Sequence, residues 1–418
     1  MKKRIVMTML LAGCVMALGG TVYAEAEAAE ETVAEEAAEE AAEEAEEAEE
    51  PEAEAPAEDG LSDDIYSFSI KIGENIYQFP MKYTDLVEKE GWAVQKYYQD
   101  MTEESLAPNS YTFLGLQKND NKISVDVINY DINENLITDC YAGGITVDGS
   151  FDFDLTAYEV TLPGGIKMGA SNLDDIEAAY GTPSDTYSGD LYTKYTYSKD
   201  SYQNIDLYVY NDTNTLQKAE VRNFADPEDF VPGEVSTEVP ECVTSYVAPT
   251  ALTDDFTDPI VEFMGDLYRL PAPAVAFINN GWTFENVSED DYVQGKGFAA
   301  VNMSKNNQTV RVYLYNYSRN ATAYENCMIR SLRFGSYDSE VIALKLSGGV
   351  TLGANVDELM AVAREKDYYV KDDVENGYLT IAKSEDDKYD NNIEFWINTD
   401  VDPVAVASIE IEYRDLAE

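Results

Sequence analysis

Leu162-Pro163-Gly164-Gly165-Ile166-Lys167-Met168-Gly169-Ala170-Ser171-Asn172-Leu173-Asp174-Asp175-Ile176-Glu177-Ala178-Ala179-Tyr180-Gly181-Thr182-Pro183 decides how this chain is read. Glycines at 164, 165 and 169 make a turn. Ser171 is a good N-cap, with Asp174 at N3 and Asp175 beside the positive end of the helix. Leu173, Ile176 and Tyr180 recur at spacings of three and four, one apolar stripe for a sheet to bury. Gly181 suits the left-handed position after a helix, and Pro183 stops it.

A weaker copy lies at Leu346-Ser347-Gly348-Gly349-Val350-Thr351-Leu352-Gly353-Ala354-Asn355-Val356-Asp357-Glu358-Leu359. There Gly349 and Gly353 repeat the turn, Asn355 caps, and Val356, Leu359 and Ala363 form the stripe. Gly-x-Pro is missing, so this helix is expected to run longer or end differently.

The copy is part of a wider repeat. Asn75-Ile76-Tyr77-Gln78-Phe79-Pro80 recurs as Asp266-Leu267-Tyr268-Arg269-Leu270-Pro271, and Gly91-Trp92 as Gly281-Trp282. Lys118-Asn119, Ile123, Val125, Val127 and Asn129-Tyr130 recur at one constant offset as Lys305-Asn306, Val310, Val312, Leu314 and Asn316-Tyr317, and Cys140 falls on Cys327. A single offset held over so many matches indicates duplication. The units span 61–224 and 257–418, and residues 225–256, with Pro227, Pro232, Pro240 and Pro249, read as a semi-rigid acidic linker. Alternating runs at Tyr111–Leu116, Ile123–Tyr130 and Ile205–Tyr210, and their counterparts, predict half-buried strands. A short helix is expected over Tyr83–Lys89 and another over Ala274–Asn279, with Trp92 and Trp282 as core anchors. The fold class is α+β: two duplicated units of antiparallel sheet, with one or two short helices packed on a face.

Composition excludes more than it assigns. The chain of 418 residues has 81 acids, 28 bases and a net charge of −53. Its first sixty residues hold 18 of the acids and only Lys2, Lys3 and Arg4, so the rest still carries a net −38. Such a surface disfavours nucleic acid and anionic lipid. Histidine is absent altogether, which removes the usual general base and zinc ligand and every Ser-His-Asp or Cys-His nucleophile. No catalytic constellation is recognisable, and the chain is expected not to be an enzyme.

Met1–Ala24 has the parts of a secretory signal: Lys2-Lys3-Arg4, an apolar run, and Val22-Tyr23-Ala24 at the cleavage site. The alternative is lipidation at Cys14, since Leu11-Ala12-Gly13-Cys14 resembles a lipobox, although the residues that follow stay apolar. The expected location is extracellular or on the cell surface, or, through Cys14, the outer face of the membrane. Residues 25–60 are an Ala/Glu low-complexity spacer, read as partial helix or expanded coil because its glutamates repel one another.

The Gly-Gly-x-x-x-Gly turn before a helix admits an anion cradle. Gly-Lys-Ser/Thr is missing, however, and the charge opposes phosphate, so a structural turn and cap is the expectation. Calcium is suggested by Asp148, Asp152 and Asp154, by Asn211, Asp212 and Asn214, and by Glu385, Asp386, Asp387 and Asp390. Asp131-Ile132-Asn133-Glu134-Asn135 opens like an EF-hand but lacks its glycine and distal Glu. These are expected to be solvated turns, and no cofactor is assigned. Of the three cysteines beyond the signal, Cys140 and Cys327 read as buried small residues and Cys242 as a free thiol.

The run Gly169, Ser171, Asp174, Asp175-Ile176, then Tyr180-Gly181-Thr182-Pro183, resembles the signature helix of β-lactamase-inhibitor-protein-like and SmpA/BamE-like envelope domains. Similar Leu-Pro-Gly-Gly-Ile segments occur in uncharacterised exported proteins of Gram-positive bacteria. The likeness covers about 22 residues of the first unit and fewer of the second. It implies small two-layer α+β domains, often in tandem, that bind proteins or assemble envelope complexes without catalysis, and it carries over no binding residue. Three functions are therefore in view. One is a non-catalytic binding protein of the bacterial cell surface, its partner a protein or an envelope component. The others are an extracellular carbohydrate-binding protein or glycosidase using Tyr and Trp faces, and a structural envelope component.

Overall fold

The computed structural model describes residues 60–416 apart from Asp229, Glu289 and residues 336–343. The expected signal with Cys14, and all but the last residue of the Ala/Glu spacer, lie outside the described residues.

The chain is β-rich, built on two nine-stranded sheets whose strand pairings are antiparallel. In spatial order the first runs Asp185–Ser188, Tyr192–Asp200, Gln203–Tyr210, Thr215–Asn223, Tyr141–Asp148, Asn121–Ile128, Tyr111–Lys118 and Ala93–Val94. The short strand Met81–Lys82 pairs with Tyr141–Asp148 off that path. The second repeats the order strand for strand: Tyr369–Asp373, Tyr378–Ala382, Asn391–Asn398, Ala405–Tyr413, Met328–Gly335, Gln308–Tyr315, Phe298–Lys305 and Thr283–Phe284. Ala272–Pro273 takes the place of the side strand on Met328–Gly335. A smaller sheet accompanies each, built around Ser69–Ile72 in the first half and Ile260–Phe263 in the second.

Alternation explains the burial. Along Asn121–Ile128 the residues Asn121, Ile123, Val125 and Val127 are buried, while Lys122, Ser124 and Asp126 stay partly exposed, as a sheet with one packed face requires. The packed faces close two hydrophobic cores. Trp92, Val125, Ile145, Ile176 and Leu207 belong to one, and Trp282, Leu314, Phe334, Leu359 and Phe395 to the other. Both tryptophans are core anchors, as expected: Trp92 Nε1 donates to Tyr77 Oη at 3.0 Å, and Trp282 stacks on Phe263 with centroids 4.7 Å apart.

Helix is scarce. The opening stretch forms the helix Leu173–Tyr180, whose Ile176 is fully buried. Its cap is Asn172 rather than Ser171. The Asn172 Oδ1 accepts from the N–H groups of Asp174 (2.8 Å) and Asp175 (3.1 Å), and the Asp175 carboxylate accepts from Asn172 N–H at 2.9 Å. This reciprocal box satisfies more helix-end donors than Ser171 with Asp174 would, and the Ser171 hydroxyl instead accepts from Lys167 N–H. Gly181 does close the helix at positive φ (74°), but its ψ of −158° is not left-handed helical. The chain turns there, through Thr182-Pro183, into the edge strand Asp185–Ser188. The second copy, Val356–Glu365, is capped by Asn355 and is ten residues long against eight, in keeping with the missing Gly-x-Pro. Ala274–Asn279 is helical as expected, whereas the segment expected as a helix over Tyr83–Lys89 forms a five-residue π turn, Asp85–Lys89. Nothing in its contacts explains the wider winding.

The halves meet through corresponding loops. Glu134 N–H donates to Arg319 O (2.8 Å), Gly295 N–H to Ile132 O (2.9 Å) and Ala321 N–H to Asn133 Oδ1 (2.7 Å). A Cβ on Gly295 would stand 1.9 Å from Arg319 O, so only glycine admits this approach. Between the halves, Gly233 N–H donates to Asp131 Oδ1, and Ser236 bridges to Thr322.

Candidate binding faces of the two sheets

The glycines of the two motifs are exposed, and four of their N–H groups already have backbone partners. Gly164 N–H donates to Ser62 O, Gly169 to Leu216 O, Gly348 to Thr253 O and Gly353 to Val406 O. An anion would have to displace backbone partners there. Gly165, Gly169, Gly349 and Gly353 all have φ between 77° and 81°, a conformation that side chains disfavour. They form a strand-to-helix hinge.

The acidic clusters are turn-makers in this structure. Asp148 accepts from the Ser150 amide and hydroxyl, Asp154 from those of Thr156, and Asp387 from the Ser384 hydroxyl. Asn211 Nδ2 donates to Gly189 O and Asp190 O. The EF-hand-like run is drawn into the contact between the halves through Asp131, Asn133 and Glu134. Among the described residues no three Cys, Asp or Glu side chains converge as a metal-binding group. Cys140 and Cys327 are buried and unbridged, their thiols donating to Leu136 O and Ala323 O and pushed up to about 12, chiefly by burial. Cys242 is an unbridged, half-buried thiol.

Each large sheet turns its other face outward. Because Ile205, Leu207 and Val209 enter the core, Asn204, Asp206, Tyr208 and Tyr210 point away from it. Register then lines up Lys194, Tyr208, Lys218 and Asp148 in one row across the strands, and Thr196, Asp206, Glu220 and Thr146 in the next. On the second sheet the row is Arg311, Arg333, Glu410 and Glu394.

Both faces therefore place two carboxylates directly opposite each other, Asp206 with Glu220 and Glu394 with Glu410. Like charges in that position destabilise a sheet unless something offsets them. Lys194 lies 3.4 Å from Asp206 and Lys218 2.6 Å from Glu220. On the second face Arg333 is 4.0 Å from Glu410, and Arg330 is 2.7 Å from the neighbouring Glu412. Burial holds the Glu410 carboxyl above its usual range; Arg333 opposes that shift, and Glu394 and Glu412 add to it.

An aromatic ring stands beside each pair. Lys218 Nζ is 4.7 Å from the Tyr208 ring centroid, and Arg333 Cζ is 4.4 Å from that of Trp396. Burial, with Glu220 and Asp206, raises the Tyr208 hydroxyl pKa, so it stays neutral. Further rings continue each face. Tyr192 lies 5.8 Å from Tyr187, 5.1 Å from Tyr208 and 5.8 Å from Tyr210, while on the other sheet Phe298 stacks on Tyr315 at 5.5 Å. The many tyrosines thus divide between packing (Tyr77, Tyr197, Tyr268) and these outward rows.

Charge marks the faces as well. On the first, Lys122, Lys194, Lys218 and Arg222 are set among Asp126, Asp148, Asp206 and Glu220. The middle of this face is balanced in a chain whose net charge is −53. The sequence carried one signal for it, tyrosines alternating with charges, but the carboxylate pairing needed the register. No protein family matches the chain, and no curated protein matches it.

Proposed function

We propose that the chain is an exported, non-catalytic binding protein of the bacterial cell surface. It is made of two copies of one α+β unit, 61–224 and 257–418, joined by the linker 225–256. Its partner is another protein or an envelope component, met through the outward sheet faces.

The observation that carries this reading is the charge-balanced, ring-bearing face of a sheet in an otherwise strongly acidic chain. Acidity keeps most surfaces apart, while rings with neutralised charges beside them are what protein interfaces use as anchors. The shared strand order and constant residue offset support duplication, and the likeness of the helix motif to envelope domains supports a binding role. The test is photo-crosslinking on the native envelope, with the probe at position 208 or 396 and, as a control, at Glu358 on a helix. A specific adduct from the first two sites is expected. Equal or absent adducts from all three would remove the reading.

The tyrosine row beside paired carboxylates favours carbohydrate as the second reading, with rings for sugar faces and acids for hydroxyl groups. Binding on a glycan array that is lost in Tyr192→Ala would establish it in place of a protein partner. Turnover of chromogenic glycosides would add catalysis.

A further inference from the structure

At the Tyr141 end of the first sheet, beyond the rows of paired carboxylates, a cleft of about 410 Å³ opens where the segment joining the halves crosses the first one. Three rings line it: Tyr130, Tyr141 and, from the joining segment, Phe230. Their centroids are 5.5 to 6.0 Å apart and their planes are turned 55° to 87° against one another. Rings set at such angles make a corner rather than a floor, and all three belong to the cleft's lining. Asp131 and Asp139 also line it, with Lys82 the single cation among the described lining residues. The Tyr130 hydroxyl is kept protonated by burial, with Asp226 adding to the effect, so that ring contributes no charge of its own.

The corresponding place in the second half is built differently. By the constant offset and the paired side strands, Asp131, Asp139, Tyr141 and Lys82 become Ser318, Asn326, Met328 and Pro273. Both acids and one ring are gone, and the short helix Glu241–Thr244 packs on Ala272–Pro273. The combination of rings and acids is thus particular to the first half rather than a by-product of the fold.

We infer that this cleft binds a small alkylammonium ion, held by the π faces of Tyr130, Tyr141 and Phe230 and by the carboxylates of Asp131 and Asp139. Ring quadrupoles attract a cation without stripping all of its hydration. The volume is that of a small-ligand site, and the strongly negative chain raises the local concentration of cations. The inference does not rest on the rows of carboxylates and rings described above.

Calorimetric titration of the full chain with choline, and with its neutral isostere 3,3-dimethylbutan-1-ol, tests it. Saturable binding of choline is expected, with the isostere weaker by about tenfold or more, as loss of the cation–π contact implies. Phe230→Ala, in the joining segment, and Asp139→Asn should each weaken choline by a similar factor while leaving the far-ultraviolet circular dichroism unchanged. Tyr192→Ala, on the outward face, should bind choline as the parent does. No saturable heat with choline, equal binding of the isostere, or an unaltered Phe230→Ala would overturn the inference. A loss confined to Tyr192→Ala would move the site to the sheet face.

Discussion

Ile176→Ala examines the packing logic of the opening helix. Leu173–Tyr180 has eight residues, fewer than the roughly 12–15 at which isolated helices become even marginal in water. Ile176 is its one fully buried side chain, whereas Val356–Glu365 buries Val356, Leu359, Met360 and Ala363. Truncation removes most of the transfer free energy of one side chain, about 1.5–3 kcal/mol when fully buried, and leaves a cavity under a helix that cannot stand alone. The expected cost is about 2–5 kcal/mol. Urea unfolding followed by tyrosine and tryptophan fluorescence should show the transition of the first half displaced, while Leu359→Ala displaces that of the second by less, its helix keeping other anchors. Amide exchange over 173–180 should rise towards free-peptide rates in the Ile176 variant. A cost under about 1 kcal/mol, the lower range for buried aliphatic truncation, with exchange unchanged, would refute the claim that this helix is held by its stripe.

Three further outcomes are expected. Asn172→Ala should cost about 1 kcal/mol as the loss of a cap, and Ser171→Ala less; the reverse order in urea midpoints would restore Ser171 as the cap. Glu410 has a raised pKa in the fold, so it binds its proton more tightly there than in the unfolded chain, and its ionisation costs stability as pH rises from about 4.3 through the raised value. The parent should accordingly lose stability relative to Glu410→Gln over that rise, and denaturant titrations in which it gains instead would contradict the account. Asp255 is the opposite case. Burial raises its pKa, but the Tyr368 hydroxyl, the hydroxyl and amide of Thr257, and Lys366 outweigh that and lower it. Its contribution is present above about pH 3.9 and is lost as pH falls through the lowered value. Tyr368→Phe should move that acid loss to higher pH, as a shifted acid-unfolding midpoint would show.

How much was legible in the sequence follows from range. The glycine hinge is local, fixed by positive φ at Gly165 and Gly169, and the strands with one buried face announce themselves by alternation, as at Asn121–Ile128. Asp185–Ser188 does not: all four of its residues are exposed at a sheet edge, so no apolar rhythm marks it. Ser171 and Asn172 are both good caps by residue type, and the reciprocal bond with Asp175 decides for Asn172. The opposed carboxylates were invisible for another reason. Asp206 meets Glu220, and Glu394 meets Glu410, through register, which depends on which strands pair and where their bulges fall. The contact of Asn133 with Ala321 is longer in range still, since it joins loops 188 residues apart.

The bonds between those loops bear on how tightly a repetitive surface would be held. On the proposed binding role, two faces on one chain, tied by Glu134 with Arg319 and by Gly295 with Ile132, would meet neighbouring sites of such a surface at one spacing. Once one face has engaged, the second samples a local volume instead of the bulk, an effective concentration in the millimolar range for short tethers. Weak individual contacts then give slow release from a polymer or lattice whose spacing matches, and little retention of its isolated subunits. On the binding role proposed above, Gly295, by permitting that close approach of the two halves, would set avidity without touching any partner.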